Sequence, residues 1–166
     1  DGSIAESALP EINRAKFELM DLDGVLSFEY RTEQFASVAG MQRLRAWLEQ
    51  RREAAVADGE AGALDRPKGV LLLGVQGAGK SLTARAVAGA WGLPLLRLDM
   101  GALYNKYIGE TERNLRESLR SAELMAPCVL WLDEIEKGVG GTDTDEGVSG
   151  RRLGSLLTWM AGQRDG

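Results

Sequence analysis

Residues 74–81 read Gly74-Val75-Gln76-Gly77-Ala78-Gly79-Lys80-Ser81, which matches the phosphate-binding pattern G-x-x-x-x-G-K-[ST]. The apolar run 69–74 leads into these residues, and a helical pattern begins at Lys80, which is the setting that this motif requires. Glycines let backbone N–H groups turn toward phosphate oxygens, and a helix N-terminus adds partial positive charge at the same point. The stretch therefore predicts a nucleotide phosphate site. The alternative is an ordinary glycine-rich turn with an exposed lysine.

Two side chains of this loop have predicted chemical roles. The expected cofactors are ATP or ADP with Mg²⁺. Lys80 is expected to neutralise the β- and γ-phosphate oxygens of ATP, and Ser81 is expected to coordinate Mg²⁺. Backbone groups of the loop and of the first helical turn would make further contacts with the nucleotide. The predicted nucleotide-binding residues of this segment are Gly74, Gln76, Gly77, Ala78, Gly79, Lys80, Ser81 and Leu82.

Apolar runs and helical patterns alternate around the loop. The runs 69–74, 95–99 and 129–132 suit buried parallel strands. This alternation predicts an α/β fold, in which helices cover a parallel sheet. Helices are predicted over 11–20, 41–57, 80–91, from Thr111 to Pro127 and over 151–160, and a polar, glycine-rich loop over 138–150.

Two acids, Asp133 and Glu134, follow the third apolar run. Parallel sheets present functional groups at the carboxyl ends of their strands. Asp133 is expected to complete the Mg²⁺ shell, and Glu134 to polarise the water that attacks the γ-phosphate. Taken without the phosphate loop, the two acids could form a solvated turn.

The composition limits the other classes of function. A chain of 166 residues with 44% hydrophobic content suits one globular domain, and a net charge of −5 without a basic stripe disfavours nucleic acid as a partner. No window approaches the roughly 20 apolar residues of a membrane span, and no signal peptide is evident. The absence of histidine excludes His-based catalysis in this segment, and the single Cys128 is expected to be a buried, reduced thiol. The first residue is Asp1, so we expect a piece of a longer protein.

A second loop contains an aromatic and an aliphatic residue before a glycine, in Tyr107-Ile108-Gly109. Its surroundings, Lys106 and 110–112, are polar. The apolar pair could contact a partner, or it could simply cover part of the core.

These motifs together resemble the AAA family of the AAA+ P-loop ATPases. Residues 66–74 resemble the segment that leads into the family's phosphate loop, and Tyr107-Ile108-Gly109 resembles its pore loop. Residues 35–40 resemble the segment that lies against adenine, which implies contacts from Val38, Ala39 and Gly40. The resemblance covers residues 35–166 and leaves 1–34 as a leading helical segment and linker.

A narrower resemblance rests on Gln76, 93–99, 126–138 and 156–160. These stretches are similar to the poorly characterised AAA proteins shared by chloroplast genomes and bacteria, the conserved hypothetical reading frames. Such a protein would be cytoplasmic, or stromal if it is encoded by a plastid. The resemblance does not supply a substrate.

The family resemblance implies a homo-oligomeric, usually hexameric ring, with ATP at the subunit interfaces. ATP hydrolysis would move Tyr107 and Ile108 against a polypeptide, a chaperone-like activity. The family's sensor 1 strand, arginine finger and helical lid are expected after Gly166, so we expect weak or no hydrolysis by this segment alone. In the family's sheet that strand separates the first and third strands predicted here, so these two should not pair with each other.

The sequence leaves other functions open. A nucleotide-gated assembly or regulatory module would bind ATP without threading a substrate. A nucleic-acid motor is disfavoured by the acidic charge, and a small-molecule kinase is disfavoured by Glu134 as a water activator. Arg151 and Arg152 could lie at a subunit interface or could be solvated residues at a helix start.

Overall fold

The computed structural model describes residues 9–18, 25–33, 38, 40–52, 69–106, 110–136, 154 and 156–162. Residues 154 and 156–162 are helical. The remaining elements, in chain order, are α1 (Leu9–Glu18), β1 (Leu26–Glu29), α2 (Gln42–Gln50), α3 (Lys80–Trp91), β2 (Leu95–Asp99), α4 (Met100–Lys106), α5 (Thr111–Leu124) and β3 (Val129–Asp133).

The sheet has the strand order β1-β2-β3. Strands β2 and β3 are parallel and pair Leu95 with Val129 and Asp99 with Asp133, so their carboxyl ends lie side by side. The predicted parallel arrangement is confirmed for this pair. Strand β1 was not predicted, and it pairs antiparallel with β2, which makes the sheet mixed.

The main core lies between the sheet and the helices that follow β2. On α5, apolar side chains recur at helical spacing and are at most 3% exposed, at Leu115, Leu119 and Ala122. They pack with Leu96 and Leu98 of the central strand, which are fully buried. Each such leucine stabilises the fold by about 1.5–3 kcal/mol through apolar burial.

The predicted strand over residues 69–74 is wrong. The described residues 69–73 have no strand structure, and the side chains of Leu71 and Leu73 are 69% and 85% exposed. A strand requires a neighbouring backbone that accepts and donates its hydrogen bonds, and none of the described strands lies beside this run. The apolar composition indicated burial, but it could not show whether a pairing partner is present.

The other predicted elements correspond more closely. Helix α3 and strand β2 have the predicted limits. Helix α5 begins at Thr111, but its N-cap is Glu110 rather than Thr111. Helix α1 begins and ends two residues before its predicted limits. Helix α4 was not predicted, and the predicted loop 138–150 lies outside the described residues.

The segment 25–33 forms a strap that joins the sheet edge to α3. After pairing with β2, the strap crosses α3, where the Glu33 N–H donates to the Arg85 carbonyl at 3.2 Å. Arg85 Nε also lies 3.2 Å from a Glu29 carboxylate oxygen. The crossing is close at Gly89, where a Cβ atom would lie 2.1 Å from the Glu33 carbonyl oxygen. The strap thus holds the helix that follows the phosphate loop.

Candidate functional site

The predicted phosphate loop occupies residues 74–79, directly before α3. Gly77 and Gly79 have φ angles of +81° and +82°, a region that costs a residue with a Cβ atom about 1–2 kcal/mol. The Ala78 N–H donates to the Val75 carbonyl at 3.1 Å and closes the turn. Gly79 caps α3 without a side chain, so the first turn of the helix faces the loop with its backbone donors. This is the backbone arrangement that an anion requires.

Lys80 bends back over the loop. Its Nζ atom donates to the carbonyl oxygens of Gly74 at 2.7 Å and Val75 at 2.9 Å. The ammonium group is therefore held at the loop, while its third N–H can serve another acceptor. Ser81 and Leu82 follow in the first turn of α3, both half-buried. The structure thus brings together all the predicted phosphate-contacting residues.

A buried threonine connects the loop to the segment before α2. The Thr83 N–H donates to the Gly79 carbonyl at 2.9 Å, and the Thr83 hydroxyl lies 2.9 Å from the same oxygen and 3.1 Å from Met41 Sδ. Met41, with φ +53°, is the N-cap of α2 and follows Gly40. The sequence motif did not single out Thr83, although its position one helical turn after Gly79 favours hydrogen bonding to the Gly79 carbonyl.

The predicted adenine-contacting segment is only partly described. Val38 packs against Leu48 and Ala86, which places it beside α3. Gly40 is described as well, whereas Ala39 lies outside the described residues. A role for these three residues in binding adenine stays a prediction.

Asp133 ends β3 and has protein donors on both carboxylate oxygens. Its Oδ2 atom accepts from Arg97 Nη2 at 2.7 Å and from Arg97 Nε at 3.1 Å. Its Oδ1 atom accepts from the Glu134 N–H at 3.1 Å. Helix α3, which carries Ser81, packs beside β3. The two predicted magnesium ligands therefore belong to neighbouring elements.

Glu134 has an unusual backbone conformation. Its φ angle of +54° lies in the left-handed region, where a residue other than glycine is held at a cost of about 1–3 kcal/mol. Such conformations cluster at functional sites because they direct a side chain in a way that ordinary strand geometry does not. Because of this turn, the Glu134 side chain does not continue the alternation of side chains between the two faces of β3. It is an observation in favour of a functional role for this carboxylate.

The donor set fits Mg²⁺. Ser81 offers a hydroxyl oxygen and Asp133 offers a carboxylate, and Mg²⁺ is commonly bound by one or two protein oxygens together with phosphates and waters. Within the part of the chain that the structure describes, no group of three or more Asp, Glu, His or Cys side chains could enclose a metal. Ser81 and Asp133 could hold Mg²⁺ together with phosphate and water oxygens.

Arg97, like Thr83, is a site residue that the sequence motifs did not indicate. It lies in the middle of β2 between Leu96 and Leu98, and the signal was a positive charge between apolar residues of a strand. The predicted pore loop, Tyr107-Ile108-Gly109, lies outside the described residues. Its contacts stay a prediction.

A profile of the AAA family, the ATPases associated with various cellular activities, matches residues 70–166. The chain belongs to the AAA family.

None of the helices within the described ranges is long and apolar enough to cross a membrane.

Relatives support the narrower resemblance of this AAA chain. The "Uncharacterized AAA domain-containing protein ycf46" of Gracilaria tenuistipitata var. liui is 40% identical over 148 residues, which cover 88% of this chain and 30% of the relative. The protein of the same name from Pyropia yezoensis is 38% identical over 160 residues, covering 95% of the chain and 32% of the relative. The chain thus spans about a third of these relatives. The prediction that it resembles this branch is confirmed.

A solved structure supports the fold of the AAA chain. The FIGL-1 AAA domain in complex with ADP superimposes with a TM-score of 0.62 and 26% sequence identity, over 90% of this chain and 49% of that domain. The α/β fold class is confirmed by this similarity. A further relative, the 26S proteasome regulatory subunit S10B homolog B of Arabidopsis thaliana, is 41% identical over 101 residues, or 60% of this chain and 25% of the relative.

Proposed function

We propose that this chain binds ATP with Mg²⁺ and that, as part of the full-length protein, it hydrolyses ATP to ADP and phosphate. The observation that carries the proposal is the phosphate loop with two left-handed glycines at the start of α3, next to a strand that ends in Asp133 and is followed directly by Glu134. Membership of the AAA family supports ATPase activity, and the FIGL-1 AAA domain is a structural neighbour solved with ADP.

Each residue has a distinct role in this proposal. The loop N–H groups and Lys80 bind the β- and γ-phosphates. In this state phosphate oxygens replace the Gly74 and Val75 carbonyls as partners of the Lys80 ammonium group. Ser81 and Asp133 would hold Mg²⁺, which supplies positive charge at the same oxygens. Glu134 accepts the proton of the water that attacks the γ-phosphorus, and the bond from that phosphorus to the ADP oxygen breaks.

The test is the Glu134→Gln variant of the full-length protein. It should bind ATP as the wild type does and lose about 100-fold or more in kcat, because the amide cannot accept the proton. ATP binding is measured by fluorescence titration, and hydrolysis by phosphate release. Arg116→Gln, on the exposed surface of α5, is the control and should keep both properties. Undiminished hydrolysis by Glu134→Gln would remove Glu134 from the mechanism.

We further propose that the full-length protein forms a hexameric ring in the cytoplasm, or in the stroma if it is plastid-encoded, and remodels polypeptides. Kinship with a proteasome regulatory subunit supports this chaperone-like role, in which Tyr107 and Ile108 grip the substrate. The Tyr107→Ala variant should then hydrolyse ATP but fail to process a polypeptide. A variant unchanged in both properties would instead favour the nucleotide-gated assembly module.

A further inference from the structure

Arg97 occupies the central strand of the sheet that the described residues form, where a charge is unexpected. Its neighbours Leu96 and Leu98 are fully buried on one face, and the alternation of a strand directs Arg97 to the other face. There its guanidinium lies over the ring of Trp131, 5.0 Å from the ring centroid. The side chain is 35% exposed, so water reaches one side of it. The charge is therefore held in place by an aromatic ring while it stays accessible.

The guanidinium lies between two carboxylates. Parallel pairing places Asp99 opposite Asp133 at the ends of β2 and β3, on the same face as Arg97. Arg97 Nη2 is 2.7 Å from Asp133 Oδ2 and 3.6 Å from Asp99 Oδ2. Asp99 is fixed by its other oxygen, which accepts the Ala102 N–H at 2.8 Å. Two adjacent carboxylates repel each other, and Arg97 neutralises this repulsion.

We propose that Arg97 is the resident counter-cation of Asp133, and that it opposes the binding of Mg²⁺ at this carboxylate until nucleotide phosphate is present. The inference rests on the proposed role of Asp133 as a magnesium ligand. Arg97 donates twice to Oδ2, so a cation or its bound water must compete with these bonds in order to bind at this oxygen. The positive charge of Arg97 also repels the incoming cation. Nucleotide phosphates contribute additional negative charge, which favours the replacement of Arg97 by Mg²⁺ at the Asp133 carboxylate.

The surroundings of Arg97 allow this exchange without loss of the residue's position. When the guanidinium gives up Asp133, it keeps the Trp131 ring and the nearby Asp99 carboxylate as partners. Without the guanidinium, Asp99 and Asp133 would form an unneutralised acidic pair that attracts divalent cations by itself. Arg97 is thus a positioning residue that sets the Mg²⁺ concentration at which the site fills.

The experiment compares Arg97→Gln with the wild type in the full-length protein. The affinity for a fluorescent ATP analogue is measured as a function of free Mg²⁺, and MgCl₂ alone is titrated calorimetrically. Removal of the Arg97 charge should lower the free Mg²⁺ concentration at which the affinity for the ATP analogue has increased half-way to its maximum. The expected decrease is about fivefold, which is the effect of one partly exposed charge. Arg97→Gln should also bind Mg²⁺ without nucleotide more tightly than the wild type does.

Two further variants separate charge from packing. Arg97→Lys keeps the charge and should stay close to the wild type, whereas Arg116→Gln removes a charge from the exposed face of α5 and should leave the Mg²⁺ dependence unchanged. If Arg97→Gln does not fold, Arg97→Met gives the same comparison, because its apolar stem can pack on Trp131.

The outcomes distinguish this inference from the proposed function. An unchanged or higher Mg²⁺ requirement in Arg97→Gln, with normal nucleotide binding, overturns the counter-cation role alone. If the wild type does not bind the ATP analogue at any Mg²⁺ concentration, the proposed function fails and the inference fails with it. If Arg97→Lys behaves as Arg97→Gln does, the effect belongs to the geometry of the guanidinium and the charge account is overturned.

Discussion

The side chain of Lys80 shows how far a local motif determines the site. The motif predicted a lysine at the start of a helix, and the structure places its ammonium group on the carbonyls of the loop itself. Gly77 and Gly79 have the left-handed conformations that the glycine positions implied. The partner of Asp133 was not predictable in the same way. Arg97 and Asp133 are 36 residues apart, and only the parallel register of β2 and β3 brings them together.

Cys128 gives a prediction about pH dependence. Cys128 is partly buried rather than fully buried, and this burial disfavours the charged form of the thiol and raises its pKa from 9.0 to about 11. Because the thiolate is the reactive species, alkylation by iodoacetamide at pH 8 should be roughly 100-fold slower than for a cysteine of ordinary pKa. The rate should climb as the pH rises toward 11. Mass spectrometry of the native protein measures this, with the denatured protein as the control. Rapid alkylation of the native protein at pH 8 would contradict the burial of the thiol.

The secondary-structure elements differ in whether local sequence signals or pairing with a distant segment determines them. Helix α3 and strand β2 had the predicted limits, since their glycine, proline and apolar signals are local. Strand β1 has only four residues, too few for a periodic pattern, and it depends on pairing with β2. Residues 69–73 show the opposite case, in which an apolar pattern lacks a described strand beside it. Pairing between distant segments is therefore the part of the fold that the sequence pattern did not reveal.

The crossing of the strap 25–33 over α3 predicts an unusual effect of a helix substitution. Replacement of glycine by alanine within a helix normally stabilises it by about 0.5–1 kcal/mol. At Gly89 the new Cβ would lie 2.1 Å from the Glu33 carbonyl oxygen, so Gly89→Ala should lower the free energy of unfolding by about 1–3 kcal/mol.

Chemical denaturation and hydrogen–deuterium exchange of residues 25–33 would measure this effect. The strap should exchange faster in Gly89→Ala because it must move away from α3. Gly162→Ala is the control, since a Cβ atom there meets nothing within 4 Å. Equal stability of both variants, with an unchanged strap, would show that the close approach at Gly89 does not constrain the fold.

For the whole molecule, family membership is established and the assembly is proposed. The chain covers about a third of its ycf46 relatives, so the assembly must be measured on the full-length protein. Nucleotide that cannot be hydrolysed should favour the assembled state. We therefore expect the Glu134→Gln variant to shift to roughly six subunits when Mg-ATP is added, the size of the proposed hexameric ring, which is a closed assembly.

Light scattering with and without Mg-ATP measures this shift, and Lys80→Ala is the control that should not respond. A mass that stays at one or two subunits in Glu134→Gln would contradict the ring and favour the nucleotide-gated regulatory module. A mass of one or two subunits would not contradict the proposal that the protein binds ATP.

The measurement that tests the central proposal most directly is the affinity of the full-length Lys80→Ala variant for ATP in the presence of Mg²⁺. The loop keeps its glycines in this variant, and the change removes the Lys80 side chain beyond Cβ, including the ammonium group at the Gly74 and Val75 carbonyls. Titration of a fluorescent ATP analogue should give saturable binding to the wild type and no measurable binding to Lys80→Ala. Equal affinity in the two proteins would show that ATP does not bind at residues 74–81.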